Sequence, residues 1–148
     1  MQAHVRLQQQ FLQALQTGLL PKPSPLCGQW QGLQLDKSAL LGLFDSQLYS
    51  RITDCLAREW KKQGSVYYTI GSSGHEGNAG VAHCLTLSDP AYLHYRSCAF
   101  MFERARQQNN ADGFLQDLIL SYLAARDEPM SGGRHKVLGS IDLNVPPQ

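Results

Sequence analysis

Thirty residues, from Tyr67 to Arg96, constrain the fold more than any other stretch: YYTIGSSGHEGNAGVAHCLTLSDPAYLHYR. Val66 to Thr69 is β-branched and aromatic, the composition of a short strand. Gly71-Ser72-Ser73-Gly74 is turn chemistry. His75 or Gly77 then opens a helix whose inward side is Ala79, Ala82 and Leu85. Ser88-Asp89-Pro90 turns the chain again, and Ala91 to Tyr95 is expected as a second short strand. Small residues at Gly74, Gly77, Ala79, Gly80 and Ala82 permit very close backbone approach, to another helix or to a ligand.

Helical patterns surround this stretch. Residues 3–16 put Leu7, Phe11, Leu12 and Leu15 on one face, with Gly18 as a stop. Pro21-Lys22-Pro23-Ser24-Pro25 is a stiff extended connector. Asp36 caps a short helix through Leu43, and Asp45 or Ser46 starts a longer one ending at Gly64. Its apolar stripe is Leu48, Ile52, Cys55, Leu56 and Trp60, expected to face the core, with Arg51, Arg58, Lys61 and Lys62 in water. Phe100 to Gln107 is a helix with Phe100, Met101 and Phe102 apolar and Arg104 and Arg106 polar. Asn109, Asn110 or Asp112 caps the last helix, which carries the stripe Phe114, Leu115, Leu118, Ile119, Tyr122 and Leu123. The expected class is mainly α, with two short strands near 66–69 and 91–95. Residues 1–45 form a helical extension and Pro-rich linker, and residues 46–148 form the body.

Composition excludes several functions. The formal net charge of +1 gives no general pull toward nucleic acid or a membrane surface. No apolar run approaches the ~20 residues that cross a bilayer. The cysteines, Cys27, Cys55, Cys84 and Cys98, form no C-x-x-C pair and read as reduced, mostly buried thiols of a cytoplasmic protein. The histidine spacing carries no metal motif, so no metal site is expected from this chain alone.

Three groups have the types for anion chemistry. Tyr95 and Arg96 follow the second extended segment. A guanidinium held there grips a phosphate or carboxylate through parallel hydrogen bonds, or pairs with a neighbouring side-chain carboxylate. Ser131 to Ser140 combines Arg134, His135 and Lys136 with three glycines, as a solvated loop or as a wrap around an anion; it is expected to be loosely held without one. His75-Glu76 is an acid/base pair by type, although adjacent residues point differently and Glu76 also suits a first helical turn.

In this order and spacing, Gly74-His75-Glu76-Gly77, Tyr95-Arg96 and Gly133-Arg134 resemble the alpha subunit, or alpha half, of the thiamine-diphosphate-dependent 2-oxo acid dehydrogenases. The resemblance runs from about Leu48 to the C-terminus. It implies that this mainly helical segment belongs to a larger α/β thiamine-diphosphate-binding fold. The implied reaction is oxidative decarboxylation of a 2-oxo acid with acyl transfer to lipoamide. Tyr95 and Arg96 match the pair that binds the cofactor diphosphate, and Arg134 and His135 lie in a loop near it. Tyr68, Ile70 and His94 fall at the substrate pocket, where Ile70 in place of a histidine implies a branched-chain 2-oxo acid rather than 2-oxoglutarate, and ahead of pyruvate. Implied partners are a beta subunit or half and a lipoyl-bearing acyltransferase, in an oligomer, with thiamine diphosphate and magnesium as cofactors. The family's Gly-Asp-Gly…Asn-Asn metal motif is absent, so the metal ligands are expected outside this chain, the chain reads as an N-terminal piece, and the catalytic residues are left unassigned. Alternatives are a helical interaction module and a different thiamine enzyme.

Overall fold

The computed structural model describes residues 3–19, 35–67, 69, 71–135 and 137–147. Two units are distinct, Met1–Gln34 and Leu35–Gln148. Within the first, α1 spans Ala3–Thr17, and Gly18 stops it at φ +69°. Phe11, Leu12 and Leu15 are each about half exposed. The proline connector lies outside the described residues.

The second unit holds four helices: α2 (Lys37–Lys62), α3 (Asn78–Cys84), α4 (Cys98–Gln107) and α5 (Ala111–Tyr122). The expected mainly helical class holds. No sheet forms among the described residues; the single pairing is an isolated antiparallel bridge between Ser140 and Val145. Residues 66–67, 69 and 91–95 therefore do not make the two expected strands. Their β-branched and aromatic composition meets no neighbouring strand, and the Ala91 N–H is spent on the Asn144 carbonyl at 3.2 Å.

Two further expectations are overturned in α2. One uninterrupted helix of 26 residues replaces the expected pair, capped by Asp36, whose carboxylate accepts from the Ala39 N–H at 2.7 Å. Its buried residues are Gly42, Ser46, Ser50, Thr53, Asp54 and Ala57, whereas Leu48, Ile52, Cys55 and Leu56 of the expected core stripe are exposed. Of that stripe only Trp60 packs against the core. Small and hydroxyl-bearing residues let α2 come close to α4: Ser46 donates to the Gly42 carbonyl and Thr53 to those of Tyr49 and Ser50, so their polar atoms are satisfied locally.

Helix α4 is the hub and packs on α2, α3 and α5. Every residue from Cys98 to Ala105 is buried, including Glu103 and Arg104. Arg104 has no solvent face; its Nη1 donates to the Leu143 carbonyl at 2.7 Å and its Nη2 to that of Asp89 at 2.6 Å. Burial pushes the Arg104 guanidinium below its ordinary pKa, against the pull of Asp89. Glu103 accepts from Ser46 Oγ at 2.8 Å and from Arg106 Nε at 2.9 Å and Nη2 at 2.5 Å, and lies 2.9 Å from His83 Nδ1. Burial alone would raise the Glu103 carboxyl, but the bonds from Arg106, His83 and Ser46 hold it below the usual range. A carboxylate only accepts, so the His83 proton sits on Nδ1. Gly42 lies against this guanidinium, since a Cβ there would fall 2.5 Å from the Arg106 guanidinium carbon.

Beyond α5, the buried Leu138, Leu143 and Val145 return the chain to the core. Cys55 and Cys84 are exposed thiols and Cys98 is buried, so burial of the thiols is not general. No described helix is long and apolar enough to cross a membrane.

Candidate functional site

The Gly71–Asn78 turn is fastened to the polar side of α2. Asp54 Oδ2 accepts from the Ser72 N–H at 2.6 Å and from its hydroxyl at 2.9 Å, and the Ser72 and Ser50 hydroxyls lie 2.7 Å apart. Arg51 reaches the Ser73 hydroxyl at 3.1 Å and Glu76 Oε1 at 2.5 Å. Glu76 also accepts from the Gly74 N–H at 2.7 Å, which closes the turn at the φ +88° of Gly74. His75-Glu76 is thus not an acid/base pair in this geometry, because Glu76 is consumed in holding the turn. Burial pushes the Asp54 carboxyl above its ordinary pKa despite the Ser72 bonds and the nearby Arg58 and Arg51. Gly71 passes so close to Arg58 that a Cβ would fall 2.6 Å from Nη2.

The turn meets the segment that follows Ala91. Arg96 Nη1 donates to the Gly71 carbonyl at 2.7 Å, and its guanidinium carbon lies 5.2 Å from the Tyr95 ring centre. The His94 ring lies 3.8 Å from that of Tyr95 and 6.2 Å from that of His75, nearly parallel to the latter. Four sequence-designated residues, His75, His94, Tyr95 and Arg96, therefore form one surface cluster, and all but the half-buried Arg96 are exposed. Arg96 takes a main-chain carbonyl rather than a side-chain carboxylate, so its positive charge is not cancelled by a formal ion pair among the described residues. Next to this cluster, Gly74, Gly77 and Gly80 have no described atom within 4 Å of an added Cβ. Close approach by these glycines is open to something outside the fold, while Ala79 and Ala82 alone of the small residues are fully buried.

Among the described residues no hydrogen bond, ion pair or ring contact joins the Arg134 or His135 side chain to the Arg96 cluster. Hydrogen bonds to Glu128 fix the start of this loop. Glu128 accepts from the Met130 N–H at 2.9 Å, the Ser131 N–H at 2.7 Å and the Ser131 hydroxyl at 2.7 Å. Burial opposes its ionisation, but these bonds hold the Glu128 carboxyl below the usual range. A shallow depression of about 280 Å³ lies between α5 and this loop. Asp117 and Glu128 line it and no described cation does, which suits no anion. Tyr68, Ile70 and Lys136 lie outside the described residues.

Sequence reasoning missed Asp54, Ser72 and Glu103. Only the serines and threonines spaced along α2 signalled them, by interrupting an apolar pattern. Among the described residues no group of three or more His, Cys, Asp or Glu side chains is placed to hold a metal ion. Compared with protein families, with curated proteins and with solved structures, the chain matches none.

Proposed function

We propose that this chain contributes to the alpha portion of a thiamine-diphosphate-dependent 2-oxo acid dehydrogenase, acting with a beta subunit or half and a lipoyl-bearing acyltransferase. The observation that supports the reading is the meeting of the Gly-His-Glu-Gly turn with the Tyr-Arg pair, through the Arg96 to Gly71 hydrogen bond. The residues fit an anionic group in type: a guanidinium with no carboxylate partner among the described residues, an exposed tyrosine, and glycines with no described atom near an added Cβ. Arg96 and Tyr95 would hold the diphosphate, and His94 would flank the 2-oxo acid. When bound, thiamine diphosphate supplies the nucleophilic carbon and the electron sink for loss of carbon dioxide. This chain's residues bind and orient, with Asp54 and Arg51 fixing the turn, while magnesium ligands come from elsewhere. The specific 2-oxo acid, branched-chain before pyruvate, rests on Ile70 alone, and the cytoplasmic setting rests on cysteine usage.

Thiamine diphosphate with magnesium, titrated into isotope-labelled chain at millimolar concentration, is expected to shift the amide resonances of Gly71, Tyr95 and Arg96, whereas thiamine is not. Equal shifts with both, or none, overturn the reading. A second reading, a helical interaction module, is favoured by the outward apolar face of α2.

A further inference from the structure

We propose that the outward face of α2 is a self-association surface, on which a second copy of this chain docks as an antiparallel helix pair about a two-fold axis at Leu48. This goes beyond the proposed enzyme function and does not depend on it.

The helix is inverted: Ser46, Ser50, Thr53 and Ala57 are buried, while Leu40, Leu41, Phe44, Leu48, Ile52 and Leu56 are between 38% and 53% exposed. Positions 41, 44, 48, 52 and 55 recur every three or four residues and form one continuous stripe along the helix. Side chains of this size and exposure present roughly 600 Å² per copy, or about 1,200 Å² in a pair, the lower edge of specific stable interfaces and above an ordinary surface patch.

The pattern is complementary to itself. Counting outward from Leu48, Phe44 is matched by Ile52, Leu41 by Cys55 and Leu40 by Leu56. An isologous contact requires this property, since the same patch must serve both sides. The ends also match: Lys37 on one copy meets Glu59 on the other, and the acidic cap Asp36 comes beside the basic last turn of Lys61 and Lys62. Opposed helix dipoles favour the same arrangement. A parallel pairing would instead set Lys61 and Lys62 against their own copies.

Sedimentation equilibrium of the full chain is the test. We expect a reversible dimer with a dissociation constant on the order of 1–10 µM, the weak end of specific association. Ile52→Glu places a charge on the stripe without touching the core and should yield a monomer with an unchanged helical circular dichroism spectrum. Leu48→Cys should cross-link to its own copy under mild oxidation, with a 48–48 disulfide found by mass spectrometry, while Tyr92→Cys, at an 84% exposed position off the stripe, should not. Three results overturn the proposal: a wild-type monomer at ~100 µM, far above that constant; a dimer indifferent to Ile52→Glu; or a monomer whose Cys55 resists thiol reagents, which would mean that the stripe is covered from within the chain.

Discussion

Ser72 gives both its main-chain N–H and its hydroxyl to one oxygen of Asp54, at 2.6 and 2.9 Å, while the other Asp54 oxygen has no partner among the described residues. One carboxylate oxygen thus anchors the turn that carries the candidate site, and the buried anion works against its own ionisation.

The sign of the pH effect follows from that burial. A carboxyl with a raised folded pKa contributes stability that is full below its unfolded value, near 3.8, and is lost as pH rises through the folded value. Asp54→Asn should therefore gain stability relative to wild type as pH rises from acid toward neutrality. Asp54→Ala strands two buried donors and should cost about 1–3 kcal/mol at every pH. Urea unfolding of the three proteins at a series of pH values checks this. An Asn variant whose disadvantage grows with pH would contradict it.

Glu103 has the opposite sign. Its lowered pKa gives stability that is present above the ordinary value of 4.5 and is lost as pH falls through the folded value. Glu103→Ala removes the acceptor that Arg106, His83 and Ser46 share and should cost about 1–3 kcal/mol near neutrality. The Glu103→Gln variant should approach wild-type stability only in acid. Thermal unfolding between acid and neutral pH reads the difference.

Two glycines should respond in opposite directions to alanine. At Gly133, with φ +74°, a Cβ would fall into the Ala124 carbonyl, so Gly133→Ala should lose more than about 1 kcal/mol. Gly80 sits inside α3 with open space around it, so Gly80→Ala should gain about 0.5–1 kcal/mol. Chemical denaturation of both settles the matter.

Arg96 and Arg134 should separate in ligand binding. Arg96→Ala should abolish the resonance shifts caused by thiamine diphosphate, and Arg134→Ala should leave most of them, since no described contact ties Arg134 to the cluster. The chain alone should turn over no 2-oxo acid. Measurable carbon dioxide release by the purified chain would overturn that expectation.

Helix positions were legible from periodicity because a three-to-four repeat needs no knowledge of partners. Which face of α2 is buried was not. A stripe of Leu48, Ile52 and Leu56 marks a face as distinct without naming what covers it, and the close approach of α4 rewards the small Ser46, Ser50 and Ala57 instead. Arg104 looked like a surface residue because its partners, the Leu143 and Asp89 carbonyls, lie 39 and 15 positions away. The Tyr95-Arg96 pair was legible as a motif, whereas the hold of Glu128 on the start of the 131–140 loop was not, since local sequence does not announce such an anchor.

Arg104 clasps main-chain carbonyls, and every amino acid presents the same carbonyl. The clasp is therefore blind to side-chain identity at Asp89 and Leu143. Point substitution at Asp89 leaves the accepting carbonyl in the chain, although it removes the carboxylate that closes the turn by accepting from the Thr86 N–H and hydroxyl, both at 2.8 Å. An insertion or deletion that displaces either carbonyl by a fraction of a residue breaks the clasp, so the lengths of the segments from Asp89 to Arg104 and from α5 to Leu143 are fixed more strictly than their spelling.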